Sequence, residues 1–201
     1  LIGAAGAREG VSTSMLARHT FGREGSKVIG ILLAAVMAGW YAVQVGFFGS
    51  TMSALFPNGG IITSQYVAAF WGGILMMITA YMGYKGLNIL SYIAVPAIAI
   101  LSVVGVGVAV KGSGGWNAVM NLIPSKPTTI SATIVAIVGS FAGGAAAQSD
   151  ITRYAKDAKT SWLGTIFGYL IANTFVILAG YLITAATGEA DPPVAFLAMG
   201  L

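Results

Sequence analysis

The sequence of 201 residues contains no cysteine and a single histidine, His19, and only 8% of its residues are charged. Each scarcity excludes something. Without cysteine there is no disulfide framework and no thiolate metal site. Water-soluble domains carry about 25% charged residues, and sixteen charges cannot cover a globule of this size. One histidine in a polar segment is more commonly structural than a ligand. The chain also lacks the HExxH, GxSxG and phosphate-loop patterns that mark common enzyme classes. None of its six carboxylates falls inside an apolar run, so a buried acid–base pair is not expected and the chain does not read as an enzyme.

What the chain has instead is 57% apolar residues and 28 glycines without a period of three. That excludes both disorder and collagen-like repetition and is the composition of an integral membrane protein. The net charge of +4 does not indicate nucleic acid, because ten basic residues scattered through short loops make a poor phosphate-binding face. The start at Leu1, without a charged leader, and the apolar stretch opening at Ala195 suggest an internal piece of a longer protein.

A membrane-crossing helix needs about 20 apolar residues. Five runs qualify: 28–56, 66–84, 88–110 with a kink expected at Pro96, 129–149 and 161–187. Residues 7–27 are too polar to span. Within them Ser12 to His19 reads as a short interfacial helix with a hydroxyl cap. Arg8, Arg18, Arg23, Lys27, Lys85, Arg153, Lys156 and Lys159 collect on one side, against Lys111 and Lys126 on the other. By the positive-inside rule, segments 7–27, 85–87 and 150–160 are cytoplasmic, and 57–65, 111–128 and 188–193 face outward. Trp116, in the last-but-one of these loops, is expected to anchor at the interface.

Two runs carry polar and aromatic groups at membrane depth. Trp40 and Gln44 are four residues apart, on one face of a helix. A glutamine amide is costly in lipid and points to a protein-lined cavity or a partner helix. An indole beside an amide suits a flat heterocycle, whose ring stacks while its edge is hydrogen-bonded. In the fourth run, Gly139, Gly143 and Gly144 flank Ser140 and Phe141. Clustered glycine either lets the backbone leave the helix at a midplane site or lets neighbouring helices pack closely.

"GWYAVQVGFFG" at 39–49, "IAVPAI" at 93–98, "VGSF" at 138–141 and "SDITRYAKDAK" at 149–159 occur in the order and spacing seen in one transporter family. Over nearly its whole length the chain resembles the nucleobase:cation symporter-1 family, nearest to its cytosine and purine permeases. The resemblance implies an all-α, LeuT-like inverted-repeat fold, of which the five runs are the third to seventh helices and residues 1–6 the end of the second. It further implies that Trp40 and Phe141 sandwich a planar base. Gln44 then matches a polar position of hydantoin-type members, and Ser140, Gly139 and Gly143 lie where the sixth helix unwinds. A cytosine permease of this family carries a glutamine three residues before that tryptophan, where this chain has Met37.

The implied function is import of a cytosine- or purine-like nucleobase across the cytoplasmic (inner) membrane, by symport with sodium or a proton and alternating access. Hydantoin, allantoin, uracil and thiamine-precursor substrates, and amino-acid carriage on the same fold, are the alternatives. No cofactor is implied, and the family's cation site is built from helices outside this sequence. The expected partners are a small heterocycle and the lipid bilayer.

Overall fold

The computed structural model describes residues 1–121, 129–189 and 191–200, and every described element is helical. Lys126, Pro124 and Ala190, which the loop assignments above include, lie outside the described residues. In chain order the helices are α1 (Ile2–Glu9), α2 (Thr13–Leu55), a 3₁₀ turn (Ile61–Thr63), α3 (Gln65–Tyr81) and α4 (Gly83–Gly112). They are followed by α5 (Trp116–Met120), α6 (Ile130–Ala146), α7 (Gln148–Thr152) and α8 (Ala158–Ile166). A π-helical turn (Phe167–Ala172) leads into α9 (Asn173–Thr187), and α10 (Pro192–Ala198) ends the chain.

Among the described residues three helical stretches are long and apolar enough to cross a membrane: 13–55, 83–112 and 158–187. The other two predicted spans form the shorter apolar helices α3 and α6, of 17 residues each. At 1.5 Å per residue those reach about 25 Å, just under the hydrocarbon thickness. Large aliphatic and aromatic side chains along these helices, among them Ile31, Leu32, Phe70, Tyr92 and Leu170, are exposed. This inverts the distribution of a water-soluble domain and suits an apolar surround.

Local chemistry sets the helix boundaries. Ser12 Oγ accepts from the Met15 amide at 3.4 Å, the hydroxyl cap expected at this start. Arg18 and His19 then belong to the first part of α2, because that helix runs on from Thr13 toward the apolar stretch. Its backbone departs from helical geometry at Gly22 (φ 68°, ψ −172°), a conformation that glycine adopts without steric cost. The expected loop at 85–87 lies inside α4 instead. The reversal between α3 and α4 falls at Met82 and Gly83 (φ 65°), because left-handed backbone is cheapest at that glycine. The helix α4 also runs through Pro96, whose ring leaves the Tyr92 carbonyl without its usual helical donor.

The chain divides into two units. The first comprises Leu1–Tyr41 and Lys126–Asn173, the second Ala42–Ser125 and Thr174–Leu201. In the first unit, α1 and the start of α2 dock on α7 and the end of α6 through hydroxyls. Thr13 Oγ1 donates to the Ala146 carbonyl at 2.9 Å, Ser149 Oγ donates to the Val11 carbonyl at 3.2 Å, and Thr152 Oγ1 donates to the Gly3 carbonyl at 2.8 Å. Thr13, Ser149 and Thr152 are all buried, so these bonds satisfy groups that burial would otherwise leave costly. In the second unit Ala109, Ile183 and Ala195 form a small core with Val106 and Phe196 packed against it. Phe48 meets Trp71 edge to face at 5.0 Å, and the Trp71 indole N–H donates to the Ile62 carbonyl at 3.0 Å.

Candidate functional site

The sequence expectation that α6 unwinds at its glycines is corrected. The helix is continuous from Ile130 to Ala146, through Gly139, Ser140, Phe141, Gly143 and Gly144, and its interruption comes at Ala147. Each glycine costs about 1 kcal/mol of helix propensity relative to alanine, which is too little to break a helix whose backbone bonds are otherwise intact. What the glycines supply is proximity. A Cβ on Gly143 would stand 2.6 Å from Val36 Cγ1 and 3.9 Å from the Trp40 indole nitrogen, and one on Gly144 would stand 3.2 Å from the Tyr169 hydroxyl. The absent side chains let α2 and the π-helical turn approach α6.

Within the first unit this brings Trp40 to α6 at Gly143. Trp40 keeps 42% of its surface exposed, so its ring is not consumed by packing. Phe141 is half-buried, and its ring stands 6.1 Å from that of Tyr169 at 71°, an edge-to-face pair. Ser140 Oγ donates to the Ile137 carbonyl at 2.8 Å within its own helix. Such local bonding still leaves the hydroxyl oxygen able to accept. Gly139 faces open space. Gln44 belongs to the second unit and is exposed.

Helix α2 thus sets Trp40 against Gly143, and the π-helical turn sets Tyr169 against Phe141 and Gly144, on different faces of α6 within one unit. Tyr169 was not among the residues that sequence singled out. It lies on the π-helical turn Phe167–Ala172, a departure from α geometry that is frequent at functional sites and that has no simple sequence signature. Its hydroxyl donates to Gln148 Oε1 at 3.2 Å, and Gln148 Nε2 donates to Thr165 Oγ1 at 3.2 Å. Gln148 was legible: it is an amide at the end of an apolar run, the same signal that singled out Gln44.

The charged segment after α6 is built around Arg153. Its guanidinium carbon lies 4.8 Å from the centre of the Tyr154 ring, and Nη2 donates to the Tyr154 hydroxyl at 2.8 Å. Asp150 Oδ2 accepts from the Thr13 amide at 3.4 Å, which ties this segment to the start of α2. Asp157 caps α8 by accepting from the Thr160 amide at 2.6 Å, and that hydrogen bond holds its carboxyl below the usual carboxylate value. Among the described residues no three metal-ligating side chains stand together.

Residues 1–195 match a family described as permeases for cytosine/purines, uracil, thiamine and allantoin. The chain is 32% identical over 200 residues to proteins named cytosine permease from Escherichia coli K12, O6:H1 and O157:H7. All of this chain is covered by each match, against 46% of the relative, so the chain spans about half the length of the curated relatives it matches.

Proposed function

The chain belongs to the family of permeases for cytosine/purines, uracil, thiamine and allantoin, and from that membership we propose that it forms part of a secondary transporter for a nucleobase-like heterocycle. The observation that carries this reading is the similarity to cytosine permeases along the whole chain. Trp40 against Gly143 and the separate Phe141–Tyr169 pair supply ring surfaces in the first unit that are chemically suited to it. A planar base stacks between Trp40 and Phe141, and base–aromatic stacking contributes about 1–3 kcal/mol per base. The Ser140 hydroxyl, its proton given to the Ile137 carbonyl, accepts at the polar edge, and the resemblance to hydantoin-type members assigns the Gln44 amide to the choice among ring edges. A hydrophobic wall alone rejects wrong rings poorly, whereas a site that hydrogen-bonds the ring edge rejects analogues lacking it strongly. Selectivity is therefore assigned to these polar groups.

Transport follows by alternating access in a LeuT-like fold, one helical bundle rocking about the site, driven by a sodium ion or a proton. Coupling requires that cation binding favour the state that also binds the base, and the effect is reciprocal. No residue of this chain is assigned to the cation. The five apolar runs cross the inner membrane, with 7–27 and 150–160 on the cytoplasmic side.

One observation favours a second substrate within the family. Met37 stands where a cytosine permease of the family carries a glutamine before the tryptophan, and the amide of this chain comes one turn after the tryptophan, at Gln44. That arrangement favours hydantoin- or allantoin-like rings. Competition of radiolabelled cytosine uptake by uracil, adenine, allantoin, hydantoins and amino acids tests both readings. Inhibition by heterocycles alone is expected, with the strongest competitor naming the substrate class. Inhibition by amino acids alone overturns the nucleobase reading.

A further inference from the structure

Helix α2 does not run straight. Ser14 and Gly30 lie equally far to either side of Gly22 in the chain, and a Cβ on Gly30 would stand 3.9 Å from Ser14 Cβ. An unbroken α-helix would hold these two positions about 24 Å apart. The chain therefore reverses at Gly22, whose φ of 68° and ψ of −172° fall in a region open essentially to glycine alone. The reversal makes two arms, a short one over 13–21 and a long one from Arg23 onward that carries Trp40.

Both arms reach the last turns of α6, by different means. Thr13 of the short arm meets Ala146, and Val36 of the long arm meets Gly143, one helical turn away on α6. The short arm is tied by hydrogen bonds. Thr13 Oγ1 donates to the Ala146 carbonyl at 2.9 Å, the Thr13 amide donates to Asp150 Oδ2 at 3.4 Å, and Ser149 Oγ donates to the Val11 carbonyl at 3.2 Å. Thr13 and Ser149 are buried, so these directional bonds are costly to leave unmade. At Gly143 the long arm brings up Val36, Met37 and Trp40 where α6 has no side chain to interlock with them. Apolar contact of that kind is non-directional and tolerates a tilt that the hydrogen bonds of the short arm do not.

We propose that Gly22 is a hinge about which the Trp40-bearing arm tilts against α6, while the short arm stays fastened to α6 and α7. The proposal rests on the transporter reading above, in which helices move around the bound ring. A hinge needs a position that absorbs a φ/ψ change, and Gly22 is where the backbone of α2 already stands outside helical geometry. The lever is long enough to matter. Trp40 lies about 27 Å along the arm from Gly22, so a tilt of about 10° carries its ring about 5 Å relative to Gly143. That distance separates a ring seated at α6 from one withdrawn from it.

The test is the distance between paired spin labels on introduced cysteines in the purified intact protein, with any other cysteine replaced. Arg18→Cys with Ile151→Cys joins the short arm to α7, and Ala34→Cys with Ile151→Cys joins the long arm to it; all three positions are exposed. The ligand is whichever of cytosine, uracil and allantoin binds. At saturation the first distance is expected to stay within about 1 Å and the second to shift by about 3 Å, the arc of a 10° tilt at Ala34. Gly22→Ala, strained at this φ, should abolish the second shift and lower uptake into proteoliposomes at least tenfold, with ligand affinity kept within threefold. Should that variant fail to fold, the two distances decide without it. Distances that shift together, a first distance that shifts alone, or no shift in a protein that takes up the ligand overturns the hinge and leaves the transporter reading standing. Unchanged uptake and an unchanged shift in Gly22→Ala also overturn the hinge. No binding of any of the three ligands overturns both readings.

Discussion

At the scale of single residues, Trp40 carries the most specific expectation. Its ring is 42% exposed, so truncation removes a stacking surface without opening a core cavity. Trp40→Ala in the intact protein should weaken substrate binding at least fivefold, or about 1 kcal/mol, as read by isothermal titration. Unchanged affinity would remove the sandwich. Gln44 makes a different prediction, because an amide discriminates between ring edges. Gln44→Ala should change the order of affinities among cytosine, uracil, hydantoins and purines, and a uniform shift of all ligands would reduce Gln44 to packing. The aromatic and amide residues of α2 were legible because polar and ring-bearing side chains are conspicuous in an apolar run. Tyr169 was not, because its approach to Phe141 depends on a π-helical turn that periodicity does not announce.

At the scale of elements, close approach through glycine holds the first unit together. A Cβ on Gly6 would stand 2.5 Å from Ser149 Cβ and 2.8 Å from its Cα. Backbone cannot yield there as a flexible side chain can, so Gly6→Ala should destabilise by about 1–3 kcal/mol, seen as a lower melting temperature in detergent. Gly10→Ala, with open space around it but a φ of 65°, separates steric crowding from backbone strain. The start of α8 adds a pH dependence. The Asp157 carboxyl is held below its usual value of 3.8 by its bond to the Thr160 amide. A carboxyl with a depressed folded value stabilises fully above the unfolded value, and the contribution is lost as pH falls through the folded one. Thermal stability should therefore decline below about pH 4 more steeply in the wild type than in Asp157→Ala; parallel profiles would remove the cap's contribution. The glycine cluster of α6 shows where sequence divides into two outcomes. Small residues permit either an unwound backbone or a close helix contact, and the facing side chains Val36 and Tyr169 decide for contact.

At the scale of the whole molecule, charge placement predicts orientation. No cysteine of this sequence competes with a single introduced one for labelling by a membrane-impermeant maleimide. Lys156→Cys should react only after permeabilisation, and Ser113→Cys in intact cells. The opposite pattern would reverse the assigned orientation, since eight of the ten basic residues were placed on the Lys156 side.

Composition by itself determined that this chain belongs in a membrane, because too few charges remain to face water and the apolar runs match the bilayer in length. Motif order by itself pointed to the permease family, and helical spacing set Trp40 and Gln44 on one face while the family resemblance made them candidate site residues. Only the tertiary structure decided what the glycines of α6 do, that Lys85 lies within a helix, and that Tyr169 meets Phe141. The physical reason is one of range. Hydrophobicity and charge act on each segment separately and are readable residue by residue. Which helix face meets which glycine depends on side chains more than a hundred positions apart, such as Val36 against Gly143, and only packing brings them together.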